Sequence, residues 1–108
     1  MKNICVKEDK LFLDVAPEQN AENCVNKIKN LIYNMNSKNI FINLCGVNMF
    51  DAIKISSLIS AYGLADNTSR QFNITADNKI VAGHIKLFGL SNMQVKLQEE
   101  KEKSLAAF

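Results

Sequence analysis

Between residues 39 and 62 the chain reads NIFINLCGVNMFDAIKISSLISAY, a strand pattern that runs into a helix pattern with one glycine between them. Ile40, Ile42 and Leu44 alternate onto one face, as the two-residue period of a half-buried strand requires. Gly46 breaks that period. After Asp51 the apolar positions Ile55, Leu58, Ile59 and Tyr62 fall three and four apart, which is the spacing of one helix face. A buried strand that hands over to a helix this quickly belongs to an α/β layer structure. It also brings a loop and a helix N-terminus to one end of the sheet, where backbone N–H groups can meet a ligand, an anion or a partner.

The flanking chain supplies the rest of the layers. Asn3–Lys7 and residues 10–15 are rich in β-branched and aromatic side chains, and only Glu8 and Asp9 separate them, which predicts an antiparallel hairpin. In the second strand Leu11, Leu13 and Val15 share one face, with Phe12 and Asp14 on the other. Pro17 closes that strand, and a polar connection over 16–20 leads to a helix over 21–35. Its stripe of Val25, Ile28, Leu31, Ile32 and Met35 lies opposite Asn26, Lys27, Lys29 and Asn30. Asn34, Asn36 and Ser37 supply the exit from it. Beyond Tyr62 a polar segment over 63–71 reaches a short strand at 72–75. Asp77 is then read as the N-cap of a third helix over 78–88, Gly89 as its terminating glycine, and 93–97 as the last strand. Two strands followed by helix and strand in alternation predict one α/β domain over 1–97. Its sheet should be small and mixed, with about five strands and three or four helices mainly on one face.

Composition narrows the function classes. A chain of 108 residues that is 47% apolar and 22% charged is expected to fold as one globular domain. The net charge of +2 and the scattered lysines give no footprint for nucleic acid. The N-terminus lacks the pattern of a signal peptide, and no apolar run nears the ~20 residues that cross a bilayer, so a cytoplasmic location without membrane insertion is expected. Cys5, Cys24 and Cys45 form no CxxC pair and His84 is the single histidine, so neither a disulfide framework nor a metal site is predicted. The cysteines read as small buried apolar residues and His84 as a helix boundary residue. No nucleophile motif surrounds any cysteine, and no glycine-rich phosphate loop follows any strand. Neither an enzyme nor a cofactor is expected. From Gln98 the chain becomes QEEKEKSLAAF, a charged helix or tail over 98–108 whose Leu105 and Phe108 could dock on the domain or on a partner.

The central segment resembles the STAS domain, the module shared by bacterial anti-sigma-factor antagonists and the cytoplasmic ends of sulfate transporters. In that family a strand ending in an Asp-Leu-Ser-Gly-like run leads to an Asp-Ser-Ser-Gly-like motif that opens the next helix. Asn43-Leu44-Cys45-Gly46-Val47 is similar to the first, and Asp51-Ala52-Ile53-Lys54 stands in the place of the second. Ile85-Lys86-Leu87-Phe88-Gly89-Leu90 is similar to the family's helix ending in Gly-Leu before the last strand. The order of elements agrees over about residues 3–97.

The resemblance implies a non-catalytic regulatory module whose partner is an anti-sigma factor, a serine kinase-like protein or a transporter subunit. It places the partner-binding surface on Gly46, Val47, Asn48, Asp51, Ala52, Lys54 and Ser57. In the family, a kinase that is also the anti-sigma partner phosphorylates a serine at the start of the second helix. The added charge of about −2 breaks the complex. Here that position is Ala52, which has no hydroxyl, so the usual switch is absent. Ser56 and Ser57, about 100° apart on a helix, are the nearest candidate phosphosites, and Thr68 and Ser69 lie in the later polar loop beside Arg70. Asp51 reads as a partner contact or as an N-cap accepting from the N–H of Ile53 or Lys54, worth about 1 kcal/mol. Lys54 is either a partner contact or a solvated cation. Two further readings are an anion or nucleotide sensor at the second helix's N-terminus, and a self-associating scaffold or homodimer using an edge strand or the 105–108 end.

Overall fold

The computed structural model describes residues 3–15, 20–35, 37–65, 70–87 and 93–98. Strands β1 (Asn3–Lys7) and β2 (Lys10–Asp14) form the expected antiparallel hairpin. Its turn holds Glu8 at φ 58°, in the left-handed region that hairpin turns usually give to Gly or Asn. Asn tolerates that region better than Glu does, so Glu8→Asn should stabilise the protein by about 0.5 kcal/mol, or roughly 2–4 °C in thermal midpoint. A melting curve with an unchanged or lower midpoint would show that the turn is not strained.

The remaining elements are α1 (Ala21–Met35), β3 (Asn39–Asn43), α2 (Met49–Ala65), β4 (Gln71–Ala76), α3 (Lys79–Leu87) and β5 (Met93–Leu97). The sheet follows the chain, in the order β1-β2-β3-β4-β5, and β2 to β5 are parallel. Each parallel step is one strand sideways through one helix. Right-handed crossovers repeated in one direction put all three helices on the same face. Burial agrees with that geometry. Leu11, Ile40 and Phe72 lie in one register row and Leu13, Ile42 and Ile74 in another, all sealed beneath the helices. Phe12, Phe41 and Asn73 point the other way and keep contact with solvent. The domain is therefore α/β with a small mixed sheet of five strands and, among the described residues, three helices.

Each helix opens on an asparagine. Asn20 Oδ1 accepts from the N–H of Glu22 and Asn23 at 2.9 and 3.2 Å, and Asn78 Oδ1 from Ile80 and Val81 at 2.8 and 3.3 Å. These side chains satisfy N–H groups that a first turn leaves without partners. The cap of α3 is thus Asn78 and not Asp77. The far end of α1 is closed by Arg70, whose Nε donates to the Ser37 carbonyl at 3.1 Å and whose guanidinium also reaches the Ile32 carbonyl at 3.5 Å.

Helix α2 runs on to Ala65 where the sequence suggests an exit after Tyr62. It lies between α1 and α3 and is buried on more than one side, so its apolar character does not stop where one stripe ends. Ser56 and Ser60 are tolerated in its buried part because each hydroxyl donates to the carbonyl four residues back, at 2.7 Å in both cases. The expectations for Pro17, Asn36, Thr68, Ser69, Gly89 and the 99–108 segment lie outside the described residues. Among the described residues no helix is long and apolar enough to cross a membrane.

Candidate functional site

The loop from β3 to α2 is built by a turn that only glycine fits easily. Val47 N–H donates to the Leu44 carbonyl at 3.1 Å, and Gly46, third in that turn, has φ 86°. This is the type II arrangement, which needs a positive φ at its third residue. Three consecutive loop amides are engaged inside the protein. Cys45 N–H donates to Asn43 Oδ1 at 3.0 Å, Gly46 N–H to Asp77 Oδ2 at 2.9 Å, and Val47 N–H to the Leu44 carbonyl. Asp77 thereby ties the β4–α3 loop to the β3–α2 loop. Its proximity to Asn78 makes it look like a helix cap in sequence, whereas its carboxylate serves the neighbouring loop.

Helix α2 begins one residue after Asn48, and this corrects the role expected of Asp51. Asp51 N–H donates to Asn48 Oδ1 at 2.9 Å, while Asn48 Nδ2 donates back to Asp51 Oδ2 at 2.7 Å. Asn48 is the cap. Asp51, three residues on, supports it and places a carboxylate at the positive end of the helix dipole.

The other expected site residues divide by burial. Ala52 is 2% exposed and belongs to the core, and Val47 is buried beside it in the same cluster. Ser56 is sealed inside. Ser57 is exposed, with its hydroxyl donating to the Ile53 carbonyl at 2.8 Å. Gly46, Asn48 and Lys54 reach solvent, and Lys54 Nζ sits 3.0 Å from Glu22 Oε1 on α1. An exposed pair of this kind contributes at most about 1 kcal/mol, yet it fixes where the ammonium stands. Solvent-facing members of the expected surface are therefore Gly46, Asn48, Lys54 and Ser57, with Asp51 partly exposed.

Two residues at this end escape a reading by pattern. Phe50, in the first turn of α2, is 79% exposed, and Ile80, in the first turn of α3, is 60% exposed. Their helices are neighbours and start from the two loops that Asp77 joins. Periodicity finds apolar residues that face a core. Here only the helix starts, fixed by Asn48 and Asn78, reveal that these two do not.

The thiols offer little chemistry. Burial pushes the Cys24 thiol above its ordinary range, which keeps it protonated and poorly nucleophilic near neutral pH. Cys5 is exposed on β1, contrary to the expectation of burial, because β1 is the outermost strand. Cys45 is half-buried in the loop. His84 is exposed on α3. Neither a scan against models of protein families nor a search of curated proteins finds a match to this sequence.

Proposed function

We propose that this chain is a non-catalytic regulatory module of STAS type that binds a protein partner at the carboxyl end of its sheet. The resemblance of residues 43–54 to the family's motifs and the order of elements support the type. The observation that carries the binding mode is the pairing of Phe50 and Ile80, both open to solvent, with a loop whose amides at 45, 46 and 47 already have partners inside the chain. An anion site would keep such N–H groups pointed at the ligand. Here they are satisfied, and the carboxylates of Asp77 and Asp51 stand beside them. A braced platform with two large apolar side chains suits the apolar core of a protein interface, with Asn48, Lys54 and Ser57 as its polar rim.

Binding on this reading is not gated by phosphate at the start of α2. Ala52 has no hydroxyl, Ser56 is sealed in the core, and Ser57 alone of the nearby serines stands open. The partner expected from the resemblance is an anti-sigma factor or serine kinase-like protein, or a transporter subunit, in the cytoplasm.

Pull-down from source lysate with mass spectrometry, repeated with Phe50→Asp and Ile80→Asp, tests the proposal. Each substitution should weaken a purified partner at least about tenfold, equivalent to ~1.4 kcal/mol, while the thermal midpoint moves by only a few degrees. Undiminished binding in both variants would refute the site. Phosphate and nucleotides should leave the midpoint of the wild type unchanged. A rise that disappears in Asp51 and Lys54 variants would establish a sensor instead.

A further inference from the structure

The sheet face turned away from α1, α2 and α3 carries no other element among the described residues. Parallel strands are ordinarily covered on both faces, and β2 to β5 are parallel. The register divides this open face into three rows of side chains. In the middle row Cys5, Phe12 and Phe41 lie side by side. The two rings stack with centroids 4.7 Å apart and planes 14° from parallel, and Phe12 is left 37% exposed. Lys7 and Lys10 stand in the row at the amino end of the parallel strands, and Asn3, Asp14 and Asn43 in the row at their carboxyl end. Asn43 Nδ2 donates to Asp14 Oδ1 at 3.1 Å and holds that carboxylate in place. Two shallow hollows of about 240 and 330 Å³ share Phe41 in their walls.

We propose that this face is the contact of a homodimer, in which two sheets stack about a two-fold axis running across the strands and the Phe12–Phe41 pair of one copy packs over that of the other. Sheets packed face to face sit about 10 Å apart with their side chains interdigitated, and the hollows beside Phe41 give the facing rings room to do so. Charge chooses the axis. A two-fold along the strands would gather Lys7 and Lys10 of both copies at one end of the contact. Turned across the strands through the middle row, the axis exchanges the two outer rows. Lys10 of each copy then faces Asp14 of the other, and Lys7 faces the neutral Asn3. The opposite-charge pair forms twice, and such complementarity favours this register over others. The remaining charges at the face leave that pairing intact. Lys96 shares a row with Asp14 but stands three strands away, roughly 14 Å and more than a Debye length of about 8 Å at physiological salt. Glu8 and Asp9 lie in the turn beyond Lys7 and Lys10, with Asp9 Oδ2 accepting from Asn39 Nδ2 at 3.3 Å. An apolar centre within a polar rim is the anatomy of a protein interface. The face measures roughly 20–25 Å by 17 Å, small for such a contact, so the dimer should dissociate in the micromolar range. It uses the side of the sheet opposite the helices and does not depend on the proposed partner site.

Sedimentation equilibrium of the full chain, over concentrations from the micromolar to the submillimolar range, should show the mass rising from that of one chain toward that of two. Lys10→Glu alone and Asp14→Lys alone should each raise the dissociation constant at least about tenfold, because each sets like charges against one another across the contact. Combined in one chain they should recover most of the lost affinity, since the exchanged charges oppose each other again. Within one chain the two positions lie roughly 13 Å apart along β2, so the recovery reads the contact between copies. Phe12→Asp should leave a folded monomer, with circular dichroism as the check on folding. The charge variants keep the test decisive if loss of Phe12 impairs folding. A wild type that stays monomeric throughout overturns the proposal. So does a dimer whose affinity survives both Lys10→Glu and Phe12→Asp, which would place the contact elsewhere, such as the β1 edge, or a folded double exchange that recovers nothing.

Discussion

Ala52→Glu should unfold the domain, not switch it. The substitution mimics a phosphorylated side chain at the position that carries the phosphate in the resembling family. Two opposing effects act on that carboxylate. A negative charge in the first turns of a helix gains about 0.3–1 kcal/mol from the dipole. Ala52, however, is 2% exposed and packs in the core with Val47, Ile55 and Ile59. An uncompensated buried charge costs about 3–5 kcal/mol, a large part of the 5–15 kcal/mol that holds a domain together. Burial wins. At roughly 4–8 °C per kcal/mol the thermal midpoint should fall by at least about 10 °C, as followed by circular dichroism. Ala52→Ser, which adds one hydroxyl, should cost only about 1 kcal/mol. If the glutamate variant melts within a few degrees of wild type, residue 52 faces solvent, and a charge there could act on a partner as it does in the family.

Phe72→Ala is the second large effect, and its contrast with Phe50 separates folding from function. Phe72 is fully buried on β4, between Ile40 on β3 and Met93 on β5 in the register of the sheet. Truncating a phenylalanine in such a place costs about 3–5 kcal/mol, from lost transfer energy and from the cavity left behind. In urea titrations the midpoint should drop sharply with little change in slope. Phe50→Ala removes the same side chain from a site that is 79% exposed. It should leave the unfolding free energy from the same titration within about 0.5 kcal/mol of wild type. Equal losses in the two variants would mean that Phe50 is packed and not displayed.

Which features could be read from the sequence follows from how each element is buried. Helix α1 meets the rest of the domain along one stripe, so Val25, Ile28 and Ile32 announce it by spacing alone. Helix α2 lies between two others, and its apolar residues spread around it. The pattern shows that a helix exists but not that it opens at Met49 or reaches Ala65. Its cap was ambiguous because Asn48 and Asp51 are both good cap formers, and so are Asp77 and Asn78. The choice is made by contacts distant in sequence, such as Asp77 with Gly46 at 2.9 Å. Ser56 and Ser57 are adjacent in sequence yet only one is buried, because the rotation of α2 is set by its packing between α1 and α3. The candidate surface was legible as a loop and a helix start. Phe50 and Ile80, its most exposed apolar residues, were not, since apolar character by itself says inside.

The strand order has a consequence for how the molecule is made. Because β1 to β5 lie side by side in the order in which they are synthesised, every new strand adds to the edge formed just before it. No earlier strand has to wait for a later one to be inserted beside it, and every connection after the β1–β2 hairpin spans a single helix. Contacts of short sequence separation favour fast folding. A sheet built this way can grow stepwise from the hairpin as the chain emerges from the ribosome, with β5 the last of the five described strands to be added.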